Sequence, residues 1–249
     1  MATTPSLWTR RSILTQAGMG ASAVVMPRWT WASVPSLPPS MALNYTINGR
    51  LSGVNVTANG ALTWQRNASH YAAHLSMTAL IVFKREQVSN GTLNALTLQP
   101  LHFEDRKRHI QVADFDPQRH QVRYGHGTTL DWPEQGQDRV SMLLALGVLL
   151  SQALAAGQRS FSLPVSDGTR WSDWRFDIEG KETVSTPSGA WPVWRVQRSD
   201  AGAAGQDTTV WLAPNLHNLP VRLRIHEANG DSVDQLLSGH RTLDDLPTT

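Results

Sequence analysis

Pro220-Val221-Arg222-Leu223-Arg224-Ile225-His226-Glu227-Ala228 is followed by Asn229-Gly230-Asp231 and then by Ser232-Val233-Asp234-Gln235-Leu236-Leu237. Val221, Leu223 and Ile225 lie two apart, with Arg222, Arg224 and His226 between them. Side chains of a strand alternate between faces, so this is the pattern of a half-buried strand and not of a helix. Asn-Gly accepts the left-handed backbone of a tight turn, so residues 220–237 predict an antiparallel hairpin.

Working outward, the same short alternating pieces recur. Leu43, Tyr45 and Ile47 lie two apart, and Tyr71 to Thr78 alternates again. Val54–Thr57 and Ala61–Arg66, with Asn59-Gly60 between them, predict a hairpin; Asn90-Gly91 predicts a second tight turn. Ala79 to Phe83 predicts a buried strand end. Further strands are expected at 121–124, 160–165, 171–179, 182–185, 191–198 and 208–212, separated by turn residues such as Asp167-Gly168 and Pro187-Ser188-Gly189.

One segment breaks the period. Val140, Leu143, Leu144, Gly147, Val148 and Leu150 recur three and four apart, which predicts a helix over 138–156 that packs on the sheet and closes the core. Asp138 stands where a carboxylate can accept hydrogen bonds from the free N–H groups of the first turn. Ten or more short strands joined by hairpins, with one central helix, predict a mainly β fold. Its expected form is a curved antiparallel sheet or half-barrel closed by that helix.

The ends read differently. Residues 1–32 have the three-part build of an export signal: Arg10 and Arg11, a small and mildly apolar stretch from Ile13 to Met26, and a small-residue cut site at Thr30-Trp31-Ala32. Thr9-Arg10-Arg11-Ser12-Ile13-Leu14 is similar to a twin-arginine signal, which predicts periplasmic localisation in a Gram-negative bacterium. Residues 33–41 are expected to be a Pro- and Ser-rich linker, 42–240 a single β-rich domain, and 241–249 a polar tail. After residue 32 no apolar run reaches the roughly 20 residues of a membrane-spanning helix. The sequence holds no cysteine, which excludes disulfides and lipid attachment through cysteine.

The basic pI of about 9.3 does not indicate a nucleic-acid partner. Beyond residue 32, 19 basic residues face 20 acidic ones, a net charge of −1. The dense cluster Arg106-Lys107-Arg108 directly follows Glu104-Asp105 and predicts a solvated edge or turn patch.

Candidate chemistry is sparse. His70 and His74 sit about 13 Å apart in a strand, too far for one ion. Nothing matches a His-Glu-x-x-His helix, a Gly-x-Ser-x-Gly elbow or a glycine-rich nucleotide loop, so no catalytic residue, metal site or cofactor is assigned. The unusual feature is tryptophan. Trp171 and Trp174, like Trp191 and Trp194, are three apart in predicted strands and face opposite ways, so some lie outside the core or line a groove. Arg222 and Arg224 share one face and are candidates for an anionic head group at a cavity rim. These six residues form the expected ligand-binding set.

Several stretches, taken in order, carry a resemblance. They are Leu43-Asn44-Tyr45, Leu98-Gln99-Pro100 with Phe103, Gln137-Asp138-Arg139-Val140-Ser141-Met142-Leu143, Phe176 with Gly180 and Gly189, Trp211-Leu212-Ala213-Pro214, and Leu219-Pro220-Val221-Arg222-Leu223. Over about residues 42–240 the chain resembles a bacterial exported domain family of unknown function, number 3108 in its series. The resemblance implies an envelope protein without established activity. It also implies a fold similar to the half-barrel of periplasmic lipoprotein carriers, where a curved sheet wraps an apolar cavity beside a helix. The twin-arginine start departs from typical members. The expected function is non-catalytic binding or carriage of a lipid or another apolar or amphipathic envelope molecule. The alternatives are an envelope interaction protein whose core is filled by its own side chains, and a hydrolase with a dispersed site.

Overall fold

A computed structural model describes residues 36–79, 83–199 and 206–247. The expected export signal and residues 33–35 of the expected linker lie outside them, as do residues 80–82 of the stretch expected to be a buried strand end. The hairpin read from residues 220–237 is present as strands β14 (Leu219–His226) and β15 (Ser232–Thr242). Before it, a first run comprises β1 (Met41–Leu51), β2 (Val54–Arg66), β3 (His70–Ala79), β4 (Phe83–Asn94), β5 (Thr97–Arg106), β6 (Ile110–Asp116), β7 (Gln121–Tyr124) and β8 (Thr129–Asp131). The short strand β9 (Gln137–Asp138) leads into helix α1 (Ser141–Ala155). A second run follows: β10 (Ser160–Ser166), β11 (Trp171–Thr186), β12 (Gly189–Arg198) and β13 (Asp207–Ala213), with a 3-10 turn over Pro214–Leu216 before β14.

All these strands form one 15-stranded sheet in the order β8-β7-β6-β5-β4-β3-β2-β1-β15-β14-β13-β12-β11-β10-β9. Neighbours are antiparallel except β9 and β10. The sheet is therefore an up-and-down meander in which the first strand pairs with the last. Its free edges, β8 and β9, are not joined by a ladder. Side chains bridge the seam instead: Tyr124 Oη lies 3.1 Å from Ser166 Oγ, and the rings of Phe115 and Trp171 meet edge to face at 6.1 Å.

The hollow of this curved sheet is occupied. Eleven of the 15 residues of α1 are buried, on every side of the helix. A helix apolar all round must be enclosed, and Leu144, Leu146 and Leu150 join Leu43, Trp64, Phe103, Phe176 and Leu237 in one core. At Gly147 the helix backbone comes so near the turn after β13 that an added Cβ would lie 2.8 Å from the carbonyl oxygen of Asn218. Asn218 Nδ2 in turn donates to Ser151 Oγ at 2.8 Å. The end of the expected linker is packed as well: Leu37 is buried, and Trp64 Nε1 donates to the carbonyl of Pro38.

Two local expectations are corrected. Asn59-Gly60 and Asn90-Gly91 are not turns; both lie inside long strands, and the actual turns fall at Ser52-Gly53 and Ala95-Leu96. At Gly91 the ladder slips by one residue, and a Cβ there would lie 2.1 Å from the carbonyl oxygen of Gln99. This glycine serves close backbone approach at a bulge. The segments expected at 171–179 and 182–185 are one strand with a bulge at Gly180, whose φ of 140° suits only glycine. Beyond that bend the β11–β12 arm leaves its pairing with β13. Glu182 accepts a hydrogen bond from Trp211 Nε1, the N–H of Ser188 donates to Leu237 O, and Trp191 meets His240 edge to face.

Candidate functional site

The motif Gln137–Leu143 is the hub of the interior. Asp138 Oδ1 accepts from the backbone N–H of Val140 and Ser141 at 2.8 and 2.9 Å, while Ser141 Oγ accepts from the N–H of Asp138 at 3.0 Å. This reciprocal pair is a capping box run with reversed residue types, and it satisfies the first orphan donors of the helix. Asp138 Oδ2 accepts from Ser89 Oγ at 2.6 Å, and Ser89 Oγ lies 3.0 Å from Tyr71 Oη. Burial raises the Asp138 carboxyl above the usual range against these hydrogen bonds; burial and the nearby Asp138 raise Tyr71. Asp138, Ser89 and Ser141 are each fully buried. The cluster resembles a catalytic constellation in residue type, but it is closed off from the surface, and its hydrogen bonds seat α1.

Arg139, the next residue of the motif, leads out of the core to a cleft of about 500 Å3. Val165, Asp167, Arg170, Ser172 and Trp174 of the β10–β11 hairpin form one wall, and Arg198, Gln206 and the turn Glu227-Ala228-Asn229 form the other. The guanidinium of Arg198 stacks on the ring of Trp174 at 4.1 Å. Arg139 is only loosely neutralised, with Nη2 4.0 Å from Asp167 Oδ2, and its buried Nε meets no acceptor among the described residues. Burial draws the Arg139 guanidinium below its ordinary value; Asp167 and Asp105 oppose this, and Arg85 and Arg198 add to it. Burial pushes the Asp167 carboxyl up, but hydrogen bonds from the Thr169 hydroxyl and N–H, together with Arg139, outweigh it and hold Asp167 below the usual range. Among the described residues the cleft gathers Arg139, Arg170 and Arg198 beside Asp167 and Glu227, and Arg139 Nε has no acceptor. The arrangement suits an anion with several oxygens.

The ligand-binding set expected from sequence is not gathered in one place. Trp174 lines the cleft. Trp171 packs against Gly136 and Phe115 at the seam. Trp191 donates to Ser188 Oγ and touches His240 on the arm, and Lys181 Nζ lies 4.8 Å from the centre of the Trp194 ring. Arg222 forms a two-point ion pair with Asp234, and both Arg222 and Arg224 lie over Trp211, at 4.7 and 5.3 Å. Neither lines the cleft. Arg139, Arg170 and Arg198 were not singled out by sequence reasoning, although Arg139 sits inside the quoted motif.

Beside α1, the crevice lined by Leu96, Leu98, Ala145, Val148, Leu149 and Leu163 holds about 70 Å3, well below the roughly 300–1,000 Å3 of typical ligand pockets. Among the described residues no three His, Asp or Glu side chains gather as a metal site. No described helix is long and apolar enough to cross a membrane.

One comparison with a solved structure agrees with this architecture. A β-barrel-like protein of the DUF1849 family from Brucella abortus superposes with a TM-score of 0.59 at 12% identity, covering 85% of this chain and 100% of its own. A protein of YmcC-like fold from Bacteroides fragilis gives 0.37 at 9% identity, over 84% of this chain and 100% of its own. A DUF1329 family protein from Desulfovibrio piger gives 0.31 at 8% identity, over 84% of this chain and 88% of its own. No curated protein matches. The family model described as protein of unknown function (DUF3108) matches residues 44–237, which span the sheet from β1 to β15 and include both the seating motif of α1 and the arginines of the cleft, so the chain belongs to that family.

Proposed function

We propose that this chain is an exported envelope protein that binds an amphipathic envelope molecule without chemical change, holding its anionic head in the cleft at Arg139, Arg170 and Arg198. The observation that carries the reading is the buried Arg139 Nε, which has no acceptor among the described residues, in an arginine-lined cleft of about 500 Å3. A buried donor left unpaired costs about 1–3 kcal/mol, which an anionic oxygen would recover. Trp174, stacked under Arg198, lines the same cleft. Arg10-Arg11 and the small apolar stretch that follows support the reading of export to the periplasm by the twin-arginine route.

A second reading is favoured by the filled hollow. With eleven of the 15 residues of α1 buried, the chain serves equally as a rigid interaction module of the envelope. Native mass spectrometry of protein purified from the periplasm, with solvent extraction of bound lipid, separates the two. Ligand binding predicts a co-purifying anionic amphiphile that falls at least ten-fold in Arg170→Gln and in Arg198→Gln. A chain that purifies without any such molecule, or whose ligand content is the same in both variants, refutes it.

A further inference from the structure

We propose that the end of the curved sheet carrying the cleft docks on the surface of an anionic lipid bilayer. This goes beyond ligand binding in the cleft and stands on different residues. In an up-and-down sheet alternate turns emerge at the same end. The β1–β2, β5–β6, β10–β11 and β14–β15 turns therefore share one end with the cleft. Contacts confirm the grouping: the N–H of Ser52 donates to Asp231 Oδ1 at 2.7 Å, and Ile110 shares a surface groove with Gly168 and Thr169.

Apolar exposure is concentrated there. Four large aliphatic side chains are exposed among the described residues, and three belong to this end: Leu51 at 40%, Val54 at 63% and Ile110 at 62%. Leu51 and Val54 flank the Ser52-Gly53 turn, so they project together from the tip of a hairpin. Ile110 ends the run Arg106-Lys107-Arg108-His109, all exposed. Part of this positive charge is answered within the protein. Arg106 pairs with Glu104 at 2.7 Å, Lys107 lies 3.8 Å from Asp105, and Asp167, Glu227 and Asp231 lie at the same end. Arg50 and Arg108, next to the exposed apolar tips, make no ion pair among the described residues. Aliphatic tips flanked by unanswered arginines fit the interface of an anionic membrane, where apolar side chains enter the acyl boundary and cations meet the head groups. Seated in this way, the mouth of the cleft opens toward the bilayer.

Flotation of the full chain with vesicles tests the proposal. The protein is expected to float with phosphatidylglycerol-containing phosphatidylcholine vesicles and to stay behind with pure phosphatidylcholine vesicles. Arg50→Gln and Arg108→Gln should each weaken binding about five-fold. The triple variant Leu51→Ser, Val54→Ser, Ile110→Ser should weaken it about ten-fold or more. All five positions lie outside the cleft and outside the core, so the content of co-purified ligand in these variants should match the parent. The proposal is overturned if the parent chain does not float with anionic vesicles, if it floats equally with neutral ones, or if the triple variant floats as the parent does.

Discussion

Leu146→Ala probes the claim that α1 fills the hollow of the sheet and does not merely cover it. Leu146 is fully buried in the middle of the helix. The hydrocarbon lost on truncation is worth about 2–2.5 kcal/mol at roughly 0.8 kcal/mol per methylene. The walls around it are strands of one continuous sheet, already committed to ladders on both sides, so they can collapse into the gap only in part. A cavity term of about 24 cal/mol per Å3 then brings the total to about 3–5 kcal/mol. Alanine is the better helix former, but that gain is a few tenths of a kcal/mol and does not change the outcome. Urea unfolding followed by tryptophan fluorescence reads the loss, since Trp64, Trp174 and Trp211 are buried in the native state. With a slope of about 2–3 kcal/mol/M for a domain of this size, the midpoint should fall by about 1–2 M. Gln152→Ala, at an exposed position of the same helix, should stay within about 0.5 kcal/mol of the parent. A Leu146→Ala loss under about 1 kcal/mol would refute the reasoning, because it would mean that α1 lies on a yielding or solvated surface.

Two further outcomes follow from the same structure. Burial raises the Asp138 carboxyl above its unfolded value near 3.9, so its contribution to stability is fully present below that pH and is lost as pH rises through the raised folded value. Asp138→Asn keeps an oxygen for the N–H groups of Val140 and Ser141 and carries no charge; its stability relative to the parent should increase from pH 4 upward in parallel urea titrations, and a relative decrease would contradict the assignment. At Gly180, where φ is 140° and nothing lies within 4 Å of an added Cβ, Gly180→Ala should cost about 1–3 kcal/mol from backbone strain alone, with the Trp191 and Trp211 signals changing as the arm loosens. A cost below about 0.5 kcal/mol in the same unfolding assay would show that the bend does not depend on glycine.

Much of the fold was legible because its signals are local. Val221, Leu223 and Ile225 alternate with polar residues whatever the rest of the chain does, and the three-and-four spacing from Val140 to Leu150 is visible in one window. The Asn-Gly pairs misled because their meaning depends on distant residues. Gly60 and Gly91 are small where Ile47 and the backbone of Gln99 approach, and that approach is a property of the assembled sheet. The cleft was illegible for the same reason. Arg139, Arg170 and Arg198 come from the helix entry, a hairpin turn and a strand end, and only the curling of the sheet brings them to one mouth. Of the tryptophans singled out from the sequence, Trp174 lines the cleft. For Trp211 the surrounding charges are internal partners, since Arg222, Arg224 and Glu182 enclose it.

The pairing of the first strand with the last has a kinetic consequence. Met41 stands opposite Thr242 in the ladder, so closing this contact requires nearly the whole domain to be synthesised, and its loop-closure entropy falls due before any reward from the pairing. Until Ser232–Thr242 leaves the ribosome, one side of β1 is an open edge of unpaired N–H and C=O groups, able to recruit a foreign strand. A nascent chain of this topology should therefore mature late and slowly, and truncations of its final hairpin should aggregate when they are left without a chaperone.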